Sequence, residues 1–466
     1  MNEPNEGAFE ADADEVPSGP RQMEAIGGPG GGIIFLAAAT VLLYGLLGKV
    51  IDGRTEVTDS VGRTHVYEGG NVGATVALLC LFLAAIGGLA QIVSTRLPRA
   101  RVGSAFGWCL ILLFVWWAFV DFLRRDGIMP LVQGPIIGSI LLLGVLVSPP
   151  TLRLLPALNA LRDVMVAASI AFSVLSPQFG QAPCREDKCG TFGTLWTGLF
   201  SNENAASSQL LLLTPALVVA SRPRFVLSTA LLGVFVLGTG SRTSIAALAI
   251  ATCLIVLVRI RAGNRTGDIS AAPLAVRAIP FLALLASLLV FLTIGQGELT
   301  GRGTIYEFVR SKLVHGVDLV LGPGPDAMEG VLGGFVVSEH GQAPYLLVNL
   351  GIPGLVIFGL AMAALMTVGR WSLARSVGLI MMITAASRFV TEVGMPLNPR
   401  TMEFVALLTA AGFFAYRRAG SSAEPPASEA TTSETSAATT KPEEPLHAST
   451  AADPSASSAR SSGTLR

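Results

Sequence analysis

His340 stands in Val336-Val-Ser-Glu-His-Gly-Gln, just ahead of a long apolar run, and is one of only four histidines in the chain. A loop imidazole is suited to taking a proton from a hydroxyl group at neutral pH. Two arginines occupy comparable positions at the edges of apolar segments. Arg242 lies in Gly238-Thr-Gly-Ser-Arg-Thr-Ser-Ile and Arg302 in Leu299-Thr-Gly-Arg-Gly-Thr. Arg242 opens an apolar segment, where free backbone N–H groups and the positive end of a helix dipole join the guanidinium as a receptor for a diphosphate. Arg302 can clamp a second phosphate oxygen with the bidentate fork that lysine lacks. One titratable base and two permanent cations on one face point to chemistry on an anionic, lipid-linked substrate. The plainer alternatives stay open at this stage: a span-end arginine snorkels to headgroups, and a loop arginine or histidine is often just solvated.

Further charges crowd the same stretch. Arg310 and Lys312 are alternative cations and His315 is a competing base. Asp318, Asp326, Glu329 and Glu339 show no metal-ligand spacing, so no metal is expected. Leu321-Gly-Pro-Gly-Pro-Asp326 reads as tight turns. Arg388 and Glu392, four apart at the end of an apolar segment, are expected on one helical face, as a structural ion pair or lining a substrate. Cys184 and Cys189 flank Arg-Glu-Asp-Lys in a polar loop, whereas the other three cysteines lie in apolar segments. The pair is a disulfide candidate if it faces an oxidising compartment, and two free thiols is the alternative.

The elements that must position these residues are membrane spans. The chain has 466 residues, 51% hydrophobic and 14% charged, with a mean hydropathy of +0.60. That composition defines a polytopic membrane protein. Basic and acidic residues balance at 32 each, so there is no nucleic-acid footprint. The first apolar segment follows an acidic, Gly/Pro-containing stretch and does not look like a cleaved signal peptide.

Twelve apolar segments are long enough to be read as helical spans: 33–48, 72–93, 103–123, 129–148, 156–175, 204–221, 223–239, 242–260, 276–294, 343–367, 373–391 and 401–416. With the N-terminus inside, the loops bearing Arg96, Arg99 and Arg101, Arg222 and Arg224, Arg259 and Arg277, and Arg370 and Arg375 fall on the cytoplasmic side. Arg242, the cysteine loop and the long 295–342 segment then fall outside. Residues 1–30 and 419–466 are expected to be disordered cytoplasmic flanks around a transmembrane domain spanning 31–418. No internal repeat of the inverted-transporter kind is evident.

In segment order, Ser241-Arg-Thr-Ser-Ile-Ala-Ala-Leu, Leu299-Thr-Gly-Arg302, Gly322-Pro-Gly and His340 resemble the O-antigen ligase / O-antigen polymerase superfamily. Gly198-Leu-Phe-Ser-Asn-Glu-Asn204 is similar to that family's Gly-x-Phe…Asn element. The ligase pattern is His, then Asn, Ser or Gln, nine residues, and Gly-x-x-Gly. This chain keeps the spacing from His340 to Gly351 and Gly354 but has Gly341 at the second position.

The resemblance implies an all-α polytopic membrane protein of about twelve transmembrane helices with a GT-C-like fold. A long extracytoplasmic loop would join the ninth and tenth spans. It implies a metal-independent, inverting glycosyltransferase of the plasma (inner) membrane, without a cofactor and with both termini cytoplasmic. The donor would be an undecaprenyl-diphosphate-linked glycan and the acceptor a surface lipid or glycan. Arg242 and Arg302 would hold the diphosphate and His340 would deprotonate the acceptor. Asn204, Arg310, Arg388 and Glu392 would line the substrate site. The first outer loop, 49–71, lacks an adjacent acidic pair, which speaks against the metal-dependent polyprenyl-phosphate-sugar branch. A repeat-unit polymerase is the near alternative, and a lipid-linked sugar flippase or transporter is the rival of another class.

Overall fold

The computed structural model describes residues 28–50, 54–58, 64–68, 71–94, 104–124, 132–184, 188–200, 202–262, 272–295, 302–314, 316–324, 341–368, 371–390, 392, 394, 397–399 and 401–415. All belong to one compact unit that ends at Arg417. Helix α1 (Gly28–Val50) is followed by a hairpin of β1 (Arg54–Thr58) and β2 (Thr64–Glu68). Then come α2 (Asn71–Ser94), α3 (Ala105–Arg124), α4 (Ile137–Val147) and α5 (Leu154–Leu175). A two-residue ladder pairs β3 (Gln181–Ala182) with β4 (Leu195–Trp196).

The chain continues through α6 (Glu203–Leu212), α7 (Arg222–Thr239), α8 (Arg242–Ala262) and α9 (Leu274–Thr293). Two short helices, α10 (Arg302–Lys312) and α11 (Gly316–Leu321), precede α12 (Gln342–Ala364), α13 (Leu373–Ala386) and α14 (Met402–Ala415). Helix α1 starts at Gly28, within the expected 1–30 flank, with Pro29 in its first turn, where the missing N–H costs nothing. The rest of that flank and the 419–466 tail lie outside the described residues.

Eight of these helices are long and apolar enough to cross a membrane, which makes this a polytopic α-helical membrane protein. The fourth, eleventh and twelfth expected spans are shorter apolar helices. The sixth is broken. After ten residues of α6, Thr214–Val219 winds as a 3₁₀ helix with Pro215 in its first turn. Together the two pieces reach about 27 Å. The 3₁₀ carbonyls are met from other helices: Asn159 Nδ2 donates to the Ala216 oxygen at 2.7 Å and Arg259 to the Leu217 oxygen at 3.4 Å. Such irregular backbone is tolerated in a membrane only where protein surrounds it.

Helix α14 occupies the centre. Every residue from Met402 to Ala415 is buried, as expected of a helix that is apolar on all sides. It packs on α13, α4, α1, α3 and α6. Edge-to-face rings, Phe106 on Phe414 and Phe114 on Phe404, with centroids 5.5 and 5.7 Å apart, lock it to α3. Lipid is as apolar as these side chains, so close packing rather than water exclusion holds the helices together.

The 295–342 segment is not featureless. Helix α10 fastens to the end of α9 through Arg310, and α11 seats against the middle of α12. There α12 breaks from helical geometry at Gly351 (φ 66°, ψ −168°), two residues before Pro353. The kink exposes carbonyls that find donors. Trp116 Nε1 reaches the Leu350 oxygen at 2.8 Å, and the Gly324 N–H reaches the Val348 oxygen at 3.0 Å. The Arg124 guanidinium caps the oxygens of Leu321, Gly322 and Val348. A Cβ at Gly351 would collide with the Val320 oxygen, and one at Gly322 with the Val348 oxygen. The two glycine motifs of the sequence therefore meet backbone to backbone.

Candidate functional site

One end of the bundle gathers most of the polar chemistry. Helix α7 closes at Gly240, and the chain turns directly into α8. Arg242 heads α8 as an exposed side chain without a hydrogen-bond or ion-pair partner among the described residues. Behind it runs a chain of hydroxyls. Ser241 Oγ lies 3.3 Å from Thr243 Oγ1 and donates to Ser244 Oγ at 2.9 Å, and Ser244 Oγ donates to Ser207 Oγ on α6 at 2.8 Å. The turn carrying Arg242 is thus fixed to the first half of α6.

The start of α6 is itself built up. Asn202 caps it, accepting from the Ala205 N–H at 2.8 Å. Glu203 and Asn204, in its first turn, both bond Lys188 Nζ, at 3.0 and 2.7 Å. Lys188 comes from the polar loop, in which Cys184 and Cys189 are joined by a disulfide. That loop rests on the end of α7, where the Thr191 N–H donates to the Leu237 oxygen at 3.2 Å and Trp196 packs on Gly238.

One residue beyond Ser207, Ser208 Oγ donates to Glu403 Oε1 at 3.0 Å. The same oxygen faces Arg388 Nη1 at 3.8 Å, an ion pair too long for a hydrogen bond. Both side chains are nearly fully buried, and among the described residues Arg388 Nε and Nη1 and Glu403 Oε2 have no hydrogen-bond partner. Arg388 and Glu392, expected four apart on one helical face, follow the end of α13 at Ala386, and the Glu392 N–H bonds the Arg388 oxygen at 2.8 Å as in a helical turn. A second carboxylate, that of Glu403, faces Arg388 from α14. Glu392 remains near enough to act on Arg388 electrostatically.

Beside this seam, Gly341 precedes α12 with φ 99°, and a Cβ there would press on Tyr306 Oη, Ser287 Oγ and the Phe389 oxygen. That crowding in the left-handed region accounts for glycine at this position. The Gln342 N–H donates to the Phe389 oxygen at 2.8 Å, joining α12 to the end of α13. Arg310 is engaged too: its Nη atoms donate to the oxygens of Phe291, Leu292 and Ile294 at 2.9, 3.1 and 2.9 Å, capping α9. Next to it opens a cavity of 460 Å³ between α9, α10, α11 and α12. Leu288, Leu313, Leu347 and Leu355 line it, with Arg310 as its single charged wall residue. Ile352 and Val356, on its rim, are exposed on the outer surface of the bundle.

The structure therefore brings Arg242, Asn204 and Arg388 into one connected polar seam, with Glu392 beside it and Arg310 at the end of α9. Arg302 is the first residue of α10, but its side chain lies outside the described residues, as does all of His340. Sequence reasoning missed Lys188, Glu203, Ser207, Ser208, Ser244 and Glu403. Glu203 and Glu403 carried a signal, each as an acidic residue in the first turn of its helix. Among the described residues, no group of three His, Cys, Asp or Glu side chains is placed to hold a metal ion.

The opposite end carries a different set of charges. Arg224 bonds Asp163 at 3.1 Å, and Asp163 also pairs with the fully buried Arg162. Arg277 caps the oxygens of Met366 and Val368 at 2.9 and 3.0 Å and lies over the Trp371 ring. No known protein family, curated protein or solved structure matches the chain.

Proposed function

We propose that this chain is an integral-membrane, O-antigen ligase-like glycosyltransferase of the plasma (inner) membrane. It moves a glycan from undecaprenyl diphosphate to a surface lipid or polysaccharide acceptor on the outer face, with about twelve membrane crossings, a GT-C-like arrangement and both termini cytoplasmic. The observation that carries the reading is Arg242, a guanidinium without a hydrogen-bond or ion-pair partner among the described residues, mounted on a helix N-terminus and braced from behind by buried hydroxyls. An arginine whose charge is already spent on a carboxylate would not suit an anion. The apolar cavity near the same end fits the hydrocarbon part of a lipid-linked donor, and the motif resemblance supplies the chemistry.

In this reaction the acceptor hydroxyl oxygen attacks the anomeric carbon, and its proton passes to His340. The bond from that carbon to the diphosphate oxygen breaks with inversion, and undecaprenyl diphosphate leaves. Charge grows on the departing diphosphate, so preorganised cations at Arg242 and Arg302 lower the barrier. Each charge-assisted contact contributes about 1.5–3 kcal/mol. No cofactor or nucleic acid takes part. A repeat-unit polymerase shares the donor chemistry and differs in its acceptor. For the flippase or transporter alternative, the relevant charges would lie mid-membrane. The buried Arg162–Asp163 pair is instead tied to Arg224, the third residue of α7, near the opposite end.

The test is glycan transfer by the purified protein, supplied with an undecaprenyl-diphosphate-linked repeat unit, with and without a lipid acceptor. Product formed only with acceptor means a ligase, and a ladder of lengthened donor without it means a polymerase. Folded protein that turns over neither substrate sinks the enzyme reading in favour of the flippase.

A further inference from the structure

The polar loop 181–196 does more than cover the bundle end. Its disulfide closes a ring of six residues, Cys184 to Cys189, and Lys188 is the ring member next to Cys189. From there Nζ reaches both Glu203 Oε1 and Asn204 Oδ1 in the first turn of α6. Lys188 is only 15% exposed and Glu203 only 7%, so this is a half-sequestered contact rather than a solvated surface pair. The same strand of loop touches the Arg242 turn. The backbone of Cys189 packs on Gly240, Gly190 packs on Gly238, and the Thr191 N–H bonds the Leu237 oxygen. The loop therefore holds two helix starts at once: α6 through the lysine, and α8 through the glycine turn. Those two starts are also bonded to each other by Ser244 and Ser207.

We propose that Lys188 is a positioning residue, and that the Cys184–Cys189 ring is the clamp that lets it set the first turn of α6 against the turn bearing Arg242. Lysine fits the task because one ammonium donates three bonds to oxygens at different angles. The ring fits because it shortens the free loop on which the lysine travels. Lys188 acts through Asn204 and Glu203 and does not itself meet the donor. The kinetic part of the proposal rests on the transfer reading. The geometric part does not.

The experiment uses full-length protein in detergent micelles and three variants: Lys188→Met, Lys188→Arg, and the double variant Cys184→Ser/Cys189→Ser. Hydrogen exchange is followed at residues 203–208 and 239–244, with the α13 and α14 peptides as an internal reference. The expected result is exchange about tenfold faster in both segments for Lys188→Met and for the double variant. The reference peptides stay unchanged, and Lys188→Arg stays near wild type. Unchanged exchange in Lys188→Met overturns the proposal. So does acceleration spread evenly over α13 and α14, which is general loosening. This arm is readable even if the wild type transfers no glycan. Where it does, Lys188→Met raises the donor KM about tenfold with kcat little altered, and Lys188→Arg restores it. An equal loss of kcat in Lys188→Arg overturns positioning in favour of direct chemistry.

Discussion

Arg388 and Glu403 face each other at 3.8 Å across the α13–α14 contact, both almost wholly removed from the surface. Their carboxylate oxygen is shared with Ser208 of α6, so three helices converge on one buried charge pair. Removing one member of a buried pair leaves the other uncompensated and costs about 3–5 kcal/mol, whereas replacing both with apolar residues is far milder. Glu403→Ala should lower the thermal unfolding midpoint markedly, and Arg388→Met/Glu403→Leu should recover much of the loss. A single variant as stable as the wild type would mean that water or lipid headgroups reach the pair.

The meeting of Gly322 with α12 and of Gly351 with α11 gives a second stability test. Gly351 holds φ 66° and Gly322 φ 76°, where a side chain costs roughly 1–2 kcal/mol before any clash. The clash adds to that, since each Cβ would run into a carbonyl oxygen of the facing segment. Gly351→Ala and Gly322→Ala should both reduce the folded yield and melting temperature. Gly359→Ala, on the helix of Gly351 but where an added Cβ would meet nothing closer than Leu284 at 3.8 Å, should leave them unchanged. Equal behaviour of all three would show that the kink is not held by this contact.

These two sites mark what was legible in the sequence. The apolar segments gave the spans because a long apolar run in a membrane has one solution, a helix. The Arg242 turn, the cysteine ring and both glycine motifs were visible because each is local. The ties between them were not. Ser208 and Glu403 are separated by 195 residues and Lys188 and Asn204 by 16, and no periodicity encodes which side chain meets which. Arg310 shows the converse. Its type and place suited a phosphate, but the end of α9 leaves carbonyls without partners, and the nearest guanidinium is spent on them. Arg388 and Glu392 are joined by a local turn, the Glu392 N–H on the Arg388 oxygen at 2.8 Å, whereas the tie from Arg388 to Glu403 on α14 is another that no local pattern encodes.

The cavity beside Arg310 carries a prediction about chain length. If it takes the hydrocarbon part of the donor, Val356→Trp on its rim should raise the donor KM for an undecaprenyl-linked substrate. A short-chain prenyl analogue should be handled as before. Leu289→Trp, exposed on α9 outside the cavity lining, serves as the control. Equal effects on long and short donors would remove the cavity from the binding site.

Arg242 is exposed and has no hydrogen-bond or ion-pair partner among the described residues, so its loss should leave stability unchanged while damaging transfer. Arg242→Ala should cost about 10²-fold in kcat/KM, the scale of one preorganised donor to a developing anion. Arg242→Lys should recover little, because an ammonium cannot offer the paired N–H groups of a guanidinium. Full activity in Arg242→Lys would make headgroup anchoring the better account of this residue.

His340 precedes Gly341, whose φ of 99° and tight seat between Tyr306, Ser287 and Phe389 fix the start of α12. A base must be held within about 3 Å of the proton it takes. His340→Ala should lower transfer by about 10²–10⁴-fold, the usual contribution of a positioned base, with protein abundance and melting temperature unchanged. Added imidazole should restore part of the rate in that variant, since the space and the proton to be taken both remain. Transfer at the wild-type rate in His340→Ala would remove it from the chemistry and make His315 the next residue to replace.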